Sequence, residues 1–449
     1  MLPRLVKRLL WRCDMQQLSI LSVKETLISS ADSLLERRDE FLTCPETDFT
    51  RNRKISFLQT ILFPMLAGNQ TVDDELLVFF GEEGLPTASS MIERRSQVKP
   101  EAFKTLFYEF GSKIHVTKLF HGFQLVACDG SRLNLPYNPK DTDTYIKCIG
   151  GRKGINQLHM NSLYDPLNDI FLDVELQKIS AMDEKGAFCI FLQRQKLLNP
   201  SCRRIYLADR GYAAFNIFAY AIHNDQKILI RVPEKFAKDI CKNQDHWLEK
   251  ESDDKVVTVY IGRRRTAKNQ QLPNYHCIPS NGHYDFIEAG SDNTDCLKLR
   301  VLKFPVGDNT VEYIVTNLPQ HAFSLSAIKK LYHLRWGIET AFRHLKYAGN
   351  MVHLHSRKKE FLCQEIYAKL TLYNFSSFVA SVVGRERRSG SGSTFRLDFS
   401  RVQKICIRFL KGLVADPYDL IRRYLVPVRL GRSFPRNLRR QSADTLNYR

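Results

Sequence analysis

The chain has 449 residues, of which 43% are hydrophobic and 26% charged, with a formal net charge of +19. That composition suits a globular protein with a sizeable core, and the positive excess suits a polyanionic partner, above all nucleic acid. No run of 18 or more apolar residues occurs, so no membrane span is expected, and eleven scattered cysteines without a C-x-x-C pair argue against a zinc ribbon and for a reducing cytoplasm.

Residues 1–40 read as polar and helical. Their apolar start is broken by Arg4, Lys7, Arg8 and Arg12, which leaves no region of signal-peptide length. From Asp48 to Lys113 the pattern is a set of short helices. Asp48–Thr50 reads as a cap before Arg51, Arg53, Lys54 and the apolar run Ile55–Leu66. Asp73–Phe80 follows, then a Gly- and Pro-containing breaker, then Thr87–Val98 carrying Arg94 and Arg95, and a helix opened by Pro100. A basic second helix after a short turn fits a groove-reading element, and a helical bundle with a solvated basic face fits equally well. Arg51, Arg53, Lys54, Arg94 and Arg95 are thus candidate DNA contacts in an N-terminal helical region, 1–115.

From residue 116 the pattern changes to strands. An apolar run, Gly122–Cys128, is expected to end at Asp129-Gly130-Ser131. Gln157–Tyr164 and Ile170–Leu176 flank a turn and read as a hairpin. Helix Asp183–Leu198, strand Arg204–Ala208 ending at Asp209, helix Ala213–His223 and strand Lys227–Val232 complete an α/β layer. Residues 233–312 are polar and β-rich and read as an insertion into a domain spanning 116–375. The remainder, 376–449, holds a Gly/Ser-rich linker and a basic tail with twelve Lys and Arg against three Asp in 401–449. His159 reads as a core or surface histidine, and no zinc spacing, P-loop or dinucleotide fingerprint occurs.

Tyr332–Lys346 reads as one helix. At about 100° per residue, Tyr332, Arg335, Glu339 and Lys346 fall within roughly 60° of one another. By itself this is a charged face with an Arg335–Glu339 pair worth a few tenths of a kcal/mol. Asp129 and Asp209, each closing an apolar strand, change the reading. Phosphodiester chemistry at neutral pH needs an activated oxygen and relief of charge at phosphorus, which two hard divalent cations about 4 Å apart supply. Mg²⁺ is held by a few carboxylates with waters and substrate phosphate. Two strand-end Asp and a helical Glu meet that demand, with Arg335 and Lys346 free to grip phosphates.

The spacing Tyr332-x2-Arg335-x3-Glu339-x6-Lys346 resembles the Y-R-E-K signature of DDE transposases from bacterial insertion sequences, the insertion-sequence four-type group. Asp129 in CDGS and Asp209 in ADRGY resemble that family's first two acidic residues, and the β-rich insertion lies where the family carries one. The resemblance covers roughly residues 48–375. It implies an RNase H-like core, preceded by a helical DNA-binding region and followed by a helical basic one, performing cut-and-paste DNA transposition. Asp129, Asp209 and Glu339 would then hold two Mg²⁺ ions, for which Mn²⁺ can substitute. Tyr332, Arg335 and Lys346 would hold phosphates of the DNA ends, Arg335 as a clamp more than as a partner of Glu339, and Trp247 would stack a flipped base. The implied partners are double-stranded DNA, as terminal inverted repeats and target, and a second copy of the chain, with no membrane and no nucleotide cofactor. A nuclease that cuts without joining, and a DNA-binding protein that no longer catalyses, share most of these residues and stay open.

Overall fold

Side-chain caps mark the helix starts of the N-terminal region. Ser19 and Ser22 form a capping box on α1 (Ile20–Glu36), and Ser56 and Gln59 form another on α2 (Phe57–Leu66). Thr71 caps α3 (Val72–Phe80) and Thr87 caps α4 (Ala88–Ser96). Pro100 opens α5 (Pro100–Lys113), where its missing N–H costs nothing. Each cap satisfies an otherwise orphaned amide, worth about 1 kcal/mol. The computed structural model describes residues 19–428 apart from 52, 115–117, 149–152, 243–250, 307–309, 353, 385 and 389–393. Two compact units emerge: Met1–His115 with Leu135–Asn138 and Arg343–Arg449, and Val116–Asn134 with Pro139–Phe342.

The second unit is built on one sheet. Its strands are β1 (Gln124–Leu135), β2 (Tyr145–Ile146), β3 (Ile155–Asp165), β4 (Ile170–Lys178), β5 (Arg204–Ala208), β6 (Lys227–Val232), β7 (Asp253–Gly262), β8 (Tyr275–Cys277), β9 (Thr294–Val306) and β10 (Thr310–Thr316). Helix α6 (Glu184–Leu198) lies between β4 and β5, and α7 (Phe215–His223) between β5 and β6. The order is β2-β3-β1-β5-β6-β10-β9-β7-β8, with β4 on β3. β3 and β4 form the expected antiparallel hairpin, while β1, β5 and β6 run parallel. The β-rich stretch extends this same sheet: β10 pairs antiparallel with β6, β9 with β10 and β7 with β9. Apolar residues bury both faces, one around Val126, Tyr206, Ile228 and Val257, the other around Leu125, Leu207, Leu229 and Leu331. Continuous apolar runs are what a doubly covered sheet requires. Ser324 caps α8 (Leu325–Leu334), which is followed by α9 (Gly337–Arg343).

In the first unit, α10 (Lys359–Val383) is buried on almost every side from Phe361 to Ala380. It packs against α1, α2, α5 and α11 (Phe399–Leu410), beside a small antiparallel sheet of β11 (Glu386–Arg388), β12 (Thr394–Leu397) and β13 (Leu425–Pro427). No described helix is long and apolar enough to cross a membrane. The central helix carries buried charge. Lys369 donates to the Ala67 carbonyl, and burial lowers its ammonium to about 8, against the opposing pull of Glu365 and Glu75. A base with a depressed folded pKa binds fewer protons than the unfolded chain between that value and its ordinary 10.5. Stability therefore rises with pH across this window. Relative to Lys369→Met, the wild-type unfolding free energy should rise by roughly 2 kcal/mol from pH 7 to pH 10, out of about 3 in full. Denaturant titrations at both pH values measure it, and a flat difference would place the ammonium in solvent.

Candidate active site

The parallel ladder between β1 and β5 fixes where two carboxylates stand. Its register ends at Ala127 opposite Leu207. Two residues further along each chain come Asp129 and Asp209, adjacent just past the last paired residues, where neighbouring strands lie about 4.8 Å apart. The expected strand end at Asp129 is corrected: β1 continues to Leu135, and only its pairing with β5 stops. At Asp209 the chain turns into a short 3₁₀ segment, with Oδ1 accepting from the Gly211 amide at 2.8 Å. Asp129 Oδ1 accepts likewise from the Gly130 amide at 2.8 Å.

The third carboxylate comes from a helix that is not continuous. The expected single helix over Tyr332–Lys346 divides into α8, α9 and a π-helical turn, His344–Ala348. At the first junction the amides of Arg335, Trp336 and Ile338 each bond three residues back, to Tyr332, His333 and Arg335. That tightening is 3₁₀ geometry. Gly337 then lets α9 approach the tip of the β3–β4 hairpin, since a Cβ there would sit 3.1 Å from Pro166 Cβ. Phe342 packs on Phe171 from the same helix, 6.0 Å between ring centres. Glu339, in the first turn of α9, is aimed by these contacts.

Arg335 joins the pieces. Its Nη2 donates to Glu339 Oε1 at 3.1 Å and its Nη1 to Asp129 Oδ2 at 3.4 Å. The guanidinium also lies over the Trp336 ring, 4.5 Å from its centre. Only 2% of Arg335 is exposed. Arg335 is therefore a partner of Glu339 as well as of Asp129: two carboxylates in one partly buried place demand a counter-charge, and Arg335 supplies it. Burial raises the Asp129 carboxyl to about 6, with the Gly130 amide and Arg335 opposing and the negative charges of Asp209 and Glu339 adding to the rise. The three carboxylates are therefore electrostatic neighbours. Beneath them, burial above all pushes the Cys128 thiol and the Tyr212 phenol well up, so both stay neutral.

Among the described residues no three His, Cys, Asp or Glu side chains are grouped tightly enough to hold a metal ion. The donor chemistry nonetheless fits a hard divalent cation. Asp129, Asp209 and Glu339 offer hard oxygen donors, and burial together with the negative charges of Asp209 and Glu339 holds the Asp129 carboxyl above its ordinary value. Arg335 lies between two of these carboxylates, bonded to Asp129 and to Glu339.

The other candidate residues divide. Tyr332 is 4% exposed and packs in the core between α8 and the sheet. Arg94 and Arg95, expected on a basic surface, are both 6% exposed and point inward. Arg94 donates to Gln97 Oε1 at 2.9 Å and covers the Phe49 ring, while Arg95 pairs with Glu365 at 3.0 Å. Arg51, Arg53 and Lys54 are exposed, with Arg53 at the edge of reach of Glu93, 3.8 Å away. Lys346 lies in the helical unit, within the π turn, and burial lowers its ammonium pKa. Trp247 lies outside the described residues. Trp336, 39% exposed beside Arg335, and Glu184 carry no motif in the sequence that marks them.

No curated protein sequence matches the chain. Among solved structures, the cryo-EM structure of the piggyBac transposase synaptic complex with hairpin DNA aligns with a TM-score of 0.46 at 8% identity, covering 89% of this chain and 81% of that one. A likeness at that score carries no inference. The transposase DDE domain family matches residues 121–375, more than half of the chain and the span that holds Asp129, Asp209 and Glu339. The chain belongs to the transposase DDE domain family.

Proposed function

We propose that this transposase cleaves the ends of a mobile DNA element and joins them to target DNA, using Asp129, Asp209 and Glu339 as the ligands of two divalent cations, Mg²⁺ or Mn²⁺. The observation that carries the proposal is that Asp129 meets Asp209 at the ends of two paired strands and is joined to Glu339 through Arg335, the charges of both carboxylates being felt at Asp129. Strand order β4-β3-β1-β5-β6, with parallel β1, β5 and β6, supports reading the sheet as an RNase H-like core extended by the β-rich stretch. The cut-and-paste route and the insertion-sequence four-type assignment rest on the signature residues.

Asp129, Asp209 and Glu339 would hold two hard cations, whose chemistry when bound would be nucleophile activation and charge relief at the reacting phosphorus. The protein groups do the rest. Asp129 feels the charges of the other two carboxylates and is held in direction by the Gly130 amide. Arg335, beside Asp129 and Glu339, offsets their negative charge, and its fork would suit a phosphate of the DNA end. Arg51, Arg53 and Lys54 contribute exposed positive charge for the DNA backbone, and Lys346 extends the signature. Paired terminal repeats call for two copies of the chain in the working complex.

The test is incubation of purified protein with DNA carrying the element's own ends, in Mg²⁺ or in chelator. Mg²⁺-dependent cleavage, and joining of pre-cleaved ends to a second DNA, are expected. Cleavage without joining would leave a nuclease, and binding without cleavage a DNA-binding protein. Arg335→Lys keeps the charge but cannot bridge two carboxylates with one fork, so its cleavage rate should fall by about 10- to 100-fold, the usual cost of a lost supporting contact around a metal site. A wild-type rate would remove Arg335 from the site.

A further inference from the structure

The Asp-Gly step at 129–130 lies in strand β1, not in a turn, so its glycine answers another need. A Cβ on Gly130 would stand 2.5 Å from Glu184 Oε1 and 2.6 Å from His159 Nε2. Both neighbours belong to one pair, with His159 Nε2 and Glu184 Oε1 3.1 Å apart. Asn161 Oδ1 also lies 3.1 Å from the same ring nitrogen. Two oxygens facing Nε2 make it the N–H donor. Nδ1 is buried with no hydrogen-bond partner, so a second proton there would have no acceptor, and Nε2 carries the ring's contacts.

The two side chains come from different elements. His159 stands on β3 and is 3% exposed, while Glu184 opens α6 and is 37% exposed. The Glu184 carboxyl is held below its ordinary range, chiefly by the hydrogen bond from His159. Glu184 also joins Asp129 among the charges felt by Cys128 and Tyr212, which puts it on the flank of the carboxylate site. Stability alone is a poor reason to keep a polar pair so enclosed, because apolar residues of similar volume serve as well or better. What the pair touches is the Gly130 backbone, and Gly130 donates its N–H to Asp129 Oδ1 at 2.8 Å.

We propose that His159 and Glu184 are positioning residues, whose hydrogen-bonded pair seats against Gly130 and thereby sets the direction of the amide that aims the Asp129 carboxylate. The proposal deepens the assigned function and rests on the reading of Asp129 as a cation ligand. Supporting contacts of this kind are worth 10- to 100-fold in metal affinity elsewhere. Gly130 is the hinge of the arrangement: any larger residue displaces the buried imidazole.

The test is Mn²⁺ binding to the full-length chain, followed by electron paramagnetic resonance, with metal-free melting temperature measured alongside. The set is Asp129→Asn, Gly130→Ala, His159→Ala, Glu184→Ala and Glu184→Gln. Wild-type binding should be lost in Asp129→Asn. In Glu184→Ala, His159→Ala and Gly130→Ala it should weaken by about tenfold or more. Glu184→Gln still accepts from His159 Nε2 and should bind close to wild type, a rescue that a role through the charge of Glu184 would not give. Should His159→Ala fail to fold, the half-exposed Glu184 pair of variants decides alone. Unchanged affinity in Glu184→Ala, or a Gln variant as weak as the Ala variant, overturns the proposal. Wild-type affinity in Asp129→Asn would instead overturn the ligand reading on which it rests, and the proposal with it.

Discussion

Replacing Asp129 or Asp209 by Asn, or Glu339 by Gln, should lower end cleavage by at least about 10³-fold, since a lost cation ligand forfeits several kcal/mol of charge stabilisation and each 1.36 kcal/mol is tenfold in rate. The substitutions keep shape and most hydrogen bonding, so DNA binding should persist. Stability should move the other way at Asp129. Its folded carboxyl is raised from 3.8 to about 6, so the folded state holds more protons than the unfolded chain between those values. Stability of the metal-free protein therefore falls as pH rises through that window, and the ionised carboxylate costs up to about 3 kcal/mol above it. Asp129→Asn removes that cost. At pH 7.5 without metal its melting temperature should equal or exceed that of wild type, while the activity difference remains at its largest. A variant that lost activity and melted early would show Asp129 to be a folding residue. Cleavage at the wild-type rate by any of the three amides would strike that residue from the ligand set.

Much of the sheet was legible because its causes are local. Arg204–Ala208, Lys227–Val232 and Thr310–Thr316 are strands with the bounds that their apolar runs and flanking turn residues suggest. Ser324 and Thr87 mark helix starts because a cap acts within three residues. The juxtaposition of Asp129 and Asp209 followed from two short strands of similar grammar, although their register did not. What stayed hidden depends on partners far away in sequence. The break at Arg335 is fixed by Gly337 seating on Pro166, a residue 171 positions earlier, and a helical wheel cannot show that the increment changes there and again at the π turn. Gly130 read as a turn residue because its real neighbours, His159 and Glu184, arrive from another strand and another helix. For Arg335 one sequence shows the i,i+4 partner but not the second carboxylate, Asp129, 206 residues away.

Arg95 is the sharpest case of this kind, and Arg95→Ala should cost the helical unit about 3–5 kcal/mol. Its Nη1 pairs with Glu365 Oε1 at 3.0 Å, its Nε donates to Gln364 Oε1 at 3.0 Å, and its Nη2 donates to the Phe361 carbonyl at 3.1 Å. The guanidinium covers the Phe361 ring, 4.6 Å from its centre. Both members of the ion pair are enclosed, at 7% and 5% side-chain exposure. Truncating Arg95 leaves Glu365 buried with hydrogen bonds from the Ser356 hydroxyl and the His355 amide, at 2.6 and 2.9 Å, and without its paired guanidinium. A loss of this size should lower the melting temperature by about 10 °C. Pairing Arg95→Met with Glu365→Leu should recover much of it, because the penalty comes from the stranded charge more than from the missing attraction. A DNA-contacting arginine would behave otherwise: melting would stay put, and the salt dependence of DNA binding would flatten by about one phosphate. Two measurements on one variant thus separate a surface cation from a buried strut, and the pairing of Arg95 with Glu365 requires the strut.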